Sequence, residues 1–235
     1  MQLFFHADID NSANQFVLNA EESQHLIKVL RQKAGDTFFV TNGKGYLFEA
    51  EILDANSKKC KAQIISSKKR HQKMSWLHIV IAPTKSNDRF EWFLEKATEI
   101  GVNEITPIIC DHSERKSVKL ERLQKVVQAA MKQSQQTYLP KVNEAISFKG
   151  FVEAERSGLL FIAHCEEGEK MELKRRVAPD TDVTVLIGPE GDFSKTEIQV
   201  AVKKGFIPIS LGENRLRTET AGLVACTVIN MINNG

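Results

Sequence analysis

Residues 183–197 read Val-Thr-Val-Leu-Ile-Gly-Pro-Glu-Gly-Asp-Phe-Ser-Lys-Thr-Glu. Five apolar or β-branched residues (183–187) are the length of a strand buried on both faces. Gly188-Pro189 ends that run, because neither residue sustains a ladder. Ser194-Lys-Thr-Glu197 is a capping box, in which hydroxyl and carboxylate satisfy each other's backbone donors and open a helix. Strand, glycine turn and helix in fifteen residues form one unit of an α/β sheet.

The same grammar extends in both directions. Residues 76–82, 105–110, 159–163 and 206–210 are further strand runs. Between them, Phe90, Phe93, Leu94, Ala97 and Ile100 form one helical stripe, with Asp88 as its cap and Gly101 as its stop. Leu123, Val126, Val127, Ala130 and Met131 form a second stripe within 120–134, and an apolar helix closes the chain. This alternation predicts a largely parallel sheet covered by helices on both faces. Residues 1–70 differ. Asn19 can cap a short helix carrying Leu26, Ile27, Val29 and Leu30. Strands at 36–40 and 46–53 are joined by the hairpin turn Thr41-Asn-Gly-Lys-Gly45, and 60–66 alternates as a half-exposed strand. The polar stretch 66–75 breaks all periodicity and separates a small β-rich domain, 1–70, from a larger α/β domain, 74–235.

Composition narrows the class. Hydrophobic residues make up 42% and charged residues 26% of 235, which is ordinary for a globular chain with a real core. The longest uncharged stretch, 220–235, holds three Asn and two Gly, too polar and short to span a bilayer. The first ten residues have no signal-peptide pattern. Four cysteines (60, 110, 165, 226) lie far apart without a CxxC, so reduced thiols, a cytoplasmic location and no metal site are expected. Net charge is +2, but residues 1–73 carry 11 basic against 8 acidic side chains. Residues 58–73 hold seven basic side chains and no acid, a candidate phosphate-contacting surface or else a solvated strand end.

Parallel sheets bind ligands at the carboxyl ends of their strands. Two such ends carry glycine loops, Gly188-Pro-Glu-Gly191 and Leu211-Gly-Glu-Asn-Arg-Leu-Arg217, with Ile187, Leu211 and Leu216 as apolar walls for a flat ring. Either loop alone is equally an ordinary turn. Neither is a P-loop or a GxGxxG dinucleotide fingerprint. No GxSxG or HExxH is present, and Asp111-His112-Ser113 are sequence neighbours that rarely converge as a triad. Glu213, Arg215, Arg217 and Glu219 crowd one loop, as helix-end ion pairs or as an anion-stabilising site. The residues alone define a two-domain α/β protein with a ligand cleft near its C-terminus.

The strings LIGPEGDFSKTE (186–197) and LGENRLRTETAG (211–222) resemble the cofactor loops of SPOUT-class methyltransferases, and within them the ribosomal RNA small subunit methyltransferase E family. His25-Leu-Ile-Lys-Val-Leu-Arg31, Asn87-Asp-Arg-Phe-Glu-Trp92, Ser113-Glu-Arg115 and Gln133-Ser134 extend the resemblance in order along the chain. It implies a PUA-like β-barrel followed by a SPOUT domain with a C-terminal trefoil knot, assembled as a homodimer. It further implies S-adenosylmethionine-dependent methylation of N3 of a uridine in 16S rRNA, in the decoding region of the assembled 30S subunit. Same-fold rivals are a transfer-RNA methyltransferase and a non-catalytic RNA-binding module. By resemblance, the cofactor-binding residues are Thr84, Ile187, Gly188, Glu190, Gly191, Leu211, Gly212, Leu216 and Thr220. Arg217 would stabilise the uracil anion, and Glu190 would act as base or as a loop-holding carboxylate. RNA contacts would come from Arg31, Lys44, Lys58, Lys59, Lys68, Lys69, Arg70, Arg89 and Arg115. Two departures stand out. Gln135-Gln136 replaces a frequent basic residue, leaving Lys132 as a substitute contact, and Asp192 follows GPEG where glycine is common.

Overall fold

The computed structural model describes residues 2–71 and 74–234, and the chain divides into two units, Met1–Gln72 with Gln128–Leu139, and Lys73–Val127 with Pro140–Gly235. In the first unit, β1 (Leu3–Phe5), β2 (Gln15–Val17), β3 (Thr37–Thr41), β4 (Tyr46–Asp54) and β5 (Lys61–Lys69) form a curled half-barrel sheet in the order β1-β3-β4-β5-β2. β1 runs parallel to β3, and the remaining pairs are antiparallel. Phe4, Phe38, Phe48 and Leu26 fill its core. The short helix α1 (Ala20–Gln24) starts at Asn19, whose side chain accepts the Glu22 N–H at 2.9 Å. It continues as a π-helical turn, His25–Val29, and Arg31 then turns the chain at φ 58°.

The second unit holds β6 (Leu77–Ile81), α2 (Asn87–Ile100), β7 (Glu104–Ile109), α3 (Leu120–Gln133, which from Gln128 on belongs to the first unit), β8 (Lys141–Val142), β9 (Ile146–Ser147) and α4 (Phe148–Glu153). β10 (Leu159–Ala163), β11 (Met171–Glu172), β12 (Val183–Ile187), α5 (Lys195–Lys203), β13 (Ile207–Ser210) and α6 (Thr218–Asn234) complete it. The sheet order is β11-β13-β10-β12-β6-β7-β8, with every pair parallel. Alternation along the strands explains the two covered faces. Val80, Ile162 and Leu186 pack with Phe148, Phe151 and Ala201 on one face. On the other, a Cβ at Gly222 of α6 would stand 2.9 Å from Ile81 and 2.6 Å from Phe93 of α2, so glycine lets α6 seat against both. The return from β13 through residues 211–217 to α6, which packs on α2, β6 and β12, is the crossing that the resemblance implies is knotted.

One expected helix start needs correction, and another holds. Ser86, not Asp88, is the N-cap of α2, and it makes no side-chain cap bond; Asp88 sits inside the first turn, where its charge favours the helix dipole. Ser194 and Glu197 form both halves of the capping box. At the amino edge of the sheet, Glu104 accepts from Trp76 Nε1, Lys141 Nζ and Asn143 Nδ2 at 2.7–3.0 Å. Burial pushes that carboxyl up, but Asn143, the His78 charge, Lys141 and Trp76 outweigh it and hold it at about 2. His78, bonded to Thr106 Oγ1 at 2.7 Å, is pushed down to about 4 by burial, against the opposing pull of Glu104.

Candidate active site

The carboxyl ends of β10, β12 and β13 lie side by side, and their loops enclose two adjoining cavities of about 400 and 330 Å³. Ala163, Cys165, Arg215, Leu216 and Ala221 line both. Leu211 and Gly212 line the larger one; Ile187, Gly188, Glu190, Asp192 and Arg217 line the smaller. Of the residues expected at the cofactor, Thr84, Gly191 and Thr220 line neither. Thr84 is fully buried and donates its hydroxyl to Ser86 O at 2.7 Å. Gly191 lies against His112, 3.0 Å from the position of a Cβ, because its carbonyl is a hydrogen-bond partner of the imidazole. The lining from the β10 loop escaped sequence reasoning because residues 163–165 carry no glycine signature; the strand's carboxyl end was the available signal.

Local chemistry holds these loops in place. The Thr218 hydroxyl donates to Gly188 O at 3.1 Å and ties the start of α6 to the end of β12. Where a Cβ would stand on Gly212 (φ 135°), no protein atom lies within 4 Å, which leaves that strip of backbone open to a ligand. Asp192 adopts φ 64°, a left-handed conformation that favours glycine. Its carboxylate compensates by accepting the N–H groups of Cys165 at 2.7 Å and Phe193 at 2.8 Å. Glu190 Oε1 accepts the Lys85 N–H at 2.9 Å and couples the β6 and β12 loops. Arg217 is exposed, and among the described residues its guanidinium has no ion-pair partner. Asp111, His112 and Ser113 bond separately to Ser194, to Gly191 and Asp192, and to Cys110, so they form no triad.

The basic residues divide between the units. In the first, Arg31, Lys44, Lys58, Lys59, Lys68 and Lys69 are exposed; Lys73, the last of that block, lies outside the described residues. Lys69 Nζ stands 5.6 Å from the Tyr46 ring centroid, and Arg70 donates to Gln135 O at 3.3 Å. Lys132, the expected substitute contact, pairs with the Glu22 carboxylate, which is only 2% exposed. In the second unit, Arg89 lies 3.9 Å from the buried Glu219, and Arg115 donates to Ser117 O at 3.0 Å.

Burial raises the thiols of Cys60, to about 11, and of Cys110 and Cys226, which keeps them neutral and poor nucleophiles. Among the described residues no group of three or more His, Cys, Asp or Glu could hold a metal ion, and no helix is long and apolar enough to cross a membrane.

Fold and cavities together define an RNA methyltransferase: the family model for the RNA methyltransferase domain matches residues 71–230, and that for the RNA methyltransferase PUA domain matches residues 18–65. A ribosomal RNA small subunit methyltransferase E from Buchnera aphidicola is 31% identical, over 97% of this chain and 92% of that protein. The chain belongs to the ribosomal RNA small subunit methyltransferase E family. A solved probable rRNA-methyltransferase from Porphyromonas gingivalis superposes with a TM-score of 0.92 at 38% identity, covering 100% of this chain and 99% of that one. A ribosomal RNA small subunit methyltransferase E from Neisseria gonorrhoeae, bound to S-adenosyl methionine, gives 0.89 at 25% identity, covering 99% and 98%.

Proposed function

We propose that this chain, as a cytoplasmic homodimer, uses S-adenosylmethionine to methylate N3 of a uridine in the decoding region of 16S rRNA within the assembled 30S subunit. The observation that carries the reading is the second cavity, which Glu190 and Arg217 line together with the apolar walls Ile187 and Leu216. The residues fit the cofactor. The cavity volumes suit a small-molecule site. Leu211 and Leu216 offer faces for adenine, and the open backbone at Gly212 offers groups for its edge. Leu211, Gly212, Leu216, Ile187 and Gly188 would hold it. When bound, S-adenosylmethionine supplies an electrophilic methyl group, for which a deprotonated uridine N3 is a suitable nucleophile.

The protein's work is to make that nucleophile. N3 loses its proton only well above neutral pH, and the charge then spreads to the two uracil carbonyl oxygens. The Arg217 guanidinium, without an ion-pair partner among the described residues, stabilises that charge. Glu190 holds the Lys85 N–H through one oxygen, and its other is the candidate acceptor of the N3 proton.

The test is transfer of a labelled methyl group to 30S subunits lacking the modification, with mass analysis of the nucleosides. The expected product is 3-methyluridine from subunits and none from free 16S rRNA. Arg217→Ala should lower turnover roughly 100-fold or more with S-adenosylhomocysteine affinity unchanged. Transfer only to transfer RNA, or none at all, would overturn the substrate assignment. A Glu190→Gln variant that loses cofactor affinity but keeps the chemical step would confine Glu190 to loop support.

A further inference from the structure

Three loops at the carboxyl edge of the sheet meet at Lys85. Its N–H is held by Glu190 of the β12 loop at 2.9 Å, and its ammonium pairs at 2.8 Å with Glu114 of the loop after β7. The roots of both side chains are fixed. Lys85 follows the buried Thr84, and Glu114 follows the buried Ser113, whose hydroxyl accepts the Cys110 N–H at 2.9 Å. The pair itself is open, with side-chain exposures of 75% and 54%. So exposed a pair is held weakly, and a second anion can take the ammonium at little cost. The Glu114 hydrogen bond and charge hold Lys85 above the ordinary lysine range, so it remains a full cation. Lysine recognises phosphate as a point charge, without the fixed fork of arginine, and so can exchange partners by a small swing of its stem.

We infer that Lys85 positions the target strand by holding a backbone phosphate beside the methylated nucleotide, and that Glu114 masks this charge until RNA displaces it. The inference rests on the RNA-substrate reading above. Glu190, which anchors the Lys85 backbone, lines the same cavity as Arg217, so a phosphate on Lys85 would lie next to the nucleotide being methylated. Glu114 then acts as a selectivity device, since a ligand gains the ammonium only by bringing an anion of its own to Lys85.

The test is equilibrium binding of unmodified 30S subunits over a range of salt concentrations, with wild type, Lys85→Gln, Glu114→Gln and the double variant. K85Q keeps the backbone N–H that Glu190 holds, so S-adenosylhomocysteine affinity should not change in any variant. K85Q should bind subunits several-fold more weakly, with the slope of log K against log salt reduced by about 0.7–0.9. E114Q should bind about two- to fivefold more tightly, and that gain should vanish in the double variant. A gain that persists without Lys85 would make Glu114 a source of general repulsion and overturn the latch. So would a wild-type salt slope for K85Q, or a loss of S-adenosylhomocysteine affinity in it. Binding and methylation by the wild type report on the substrate reading separately: a wild type that ignores subunits fails that reading, whereas variants that behave like an active wild type fail only the latch.

Discussion

Asp192→Gly restores the residue common in this loop, yet it should weaken this protein. The wild-type carboxylate accepts two backbone N–H groups, from Cys165 and Phe193, at 2.7 and 2.8 Å. At a half-exposed position each bond contributes about 1 kcal/mol net. Glycine also loses about 0.5–1 kcal/mol more backbone entropy on folding. Against this, removing a side chain from φ 64° relieves about 1 kcal/mol of strain. The balance is a loss of about 2 kcal/mol, or roughly 4–8 °C in melting temperature for a unit of this size. Because Cys165 and Ala163 line both cavities, releasing the Cys165 N–H should also loosen the cofactor site, with about tenfold weaker S-adenosylhomocysteine binding by calorimetry. Asp192→Asn, which keeps one acceptor oxygen and tolerates the left-handed conformation, should fall between the two. A glycine variant that melts at or above wild type with unchanged affinity would show that strain, not tethering, dominates at this position.

Acid should destabilise the second unit before its carboxylates titrate. Buried His78 stays neutral in the fold down to about 4, while the unfolded chain takes its proton near 6.5, so stability is complete above that value and falls as pH drops through the window. The loss over the whole window is about 3 kcal/mol, of which urea melts at pH 7 and 4.5 should show roughly 2, and His78→Gln should flatten it. Glu104, held at about 2, keeps its contribution down to its ordinary value of 4.5 and loses it as pH falls from there to about 2. Lys132→Met strands the buried Glu22 carboxylate and should cost about 3 kcal/mol by thermal melting, with much of it recovered in Glu22→Gln/Lys132→Met; equal stability of single and double variants would refute the pairing. Gly45→Ala puts a methyl 2.3 Å from the Tyr138 ring at φ 95°, at a cost of about 2 kcal/mol or more, partly relieved by Tyr138→Ala.

The second unit was largely legible because each of its main strands is a run of apolar residues and each long helix has a stripe. Residues 159–163 and 183–187 lie in strands with the expected bounds, β10 and β12. The first unit was less legible because β1 and β2 have three residues each and acquire their pairing from β3 and β5, distant in sequence. So short a strand has no period to read. The π-helical turn at His25–Val29 preserves the apolar spacing of an ordinary helix closely enough that sequence alone does not separate the two. The sequence reveals no strand or helix within 137–158, since β8, β9 and α4 are two to six residues long.

At the site, sequence showed which loops converge but not which side chains are already engaged. Asp192 is a surplus acid in the strand-loop-helix string; in the fold it is the acceptor that makes a left-handed turn tolerable and fastens the β10 loop. Lys132 is a spare cation beside Gln135-Gln136; in the fold a buried carboxylate claims it. Gln135 itself turns the chain at φ 56°, and its carbonyl receives the Arg70 guanidinium from the end of β5. The positive charge missing from Gln135-Gln136 is therefore present in space, supplied by a residue 65 positions earlier. The cation beside Gln135-Gln136 thus comes from Arg70 at the end of β5, a proximity that no spacing along the sequence reveals.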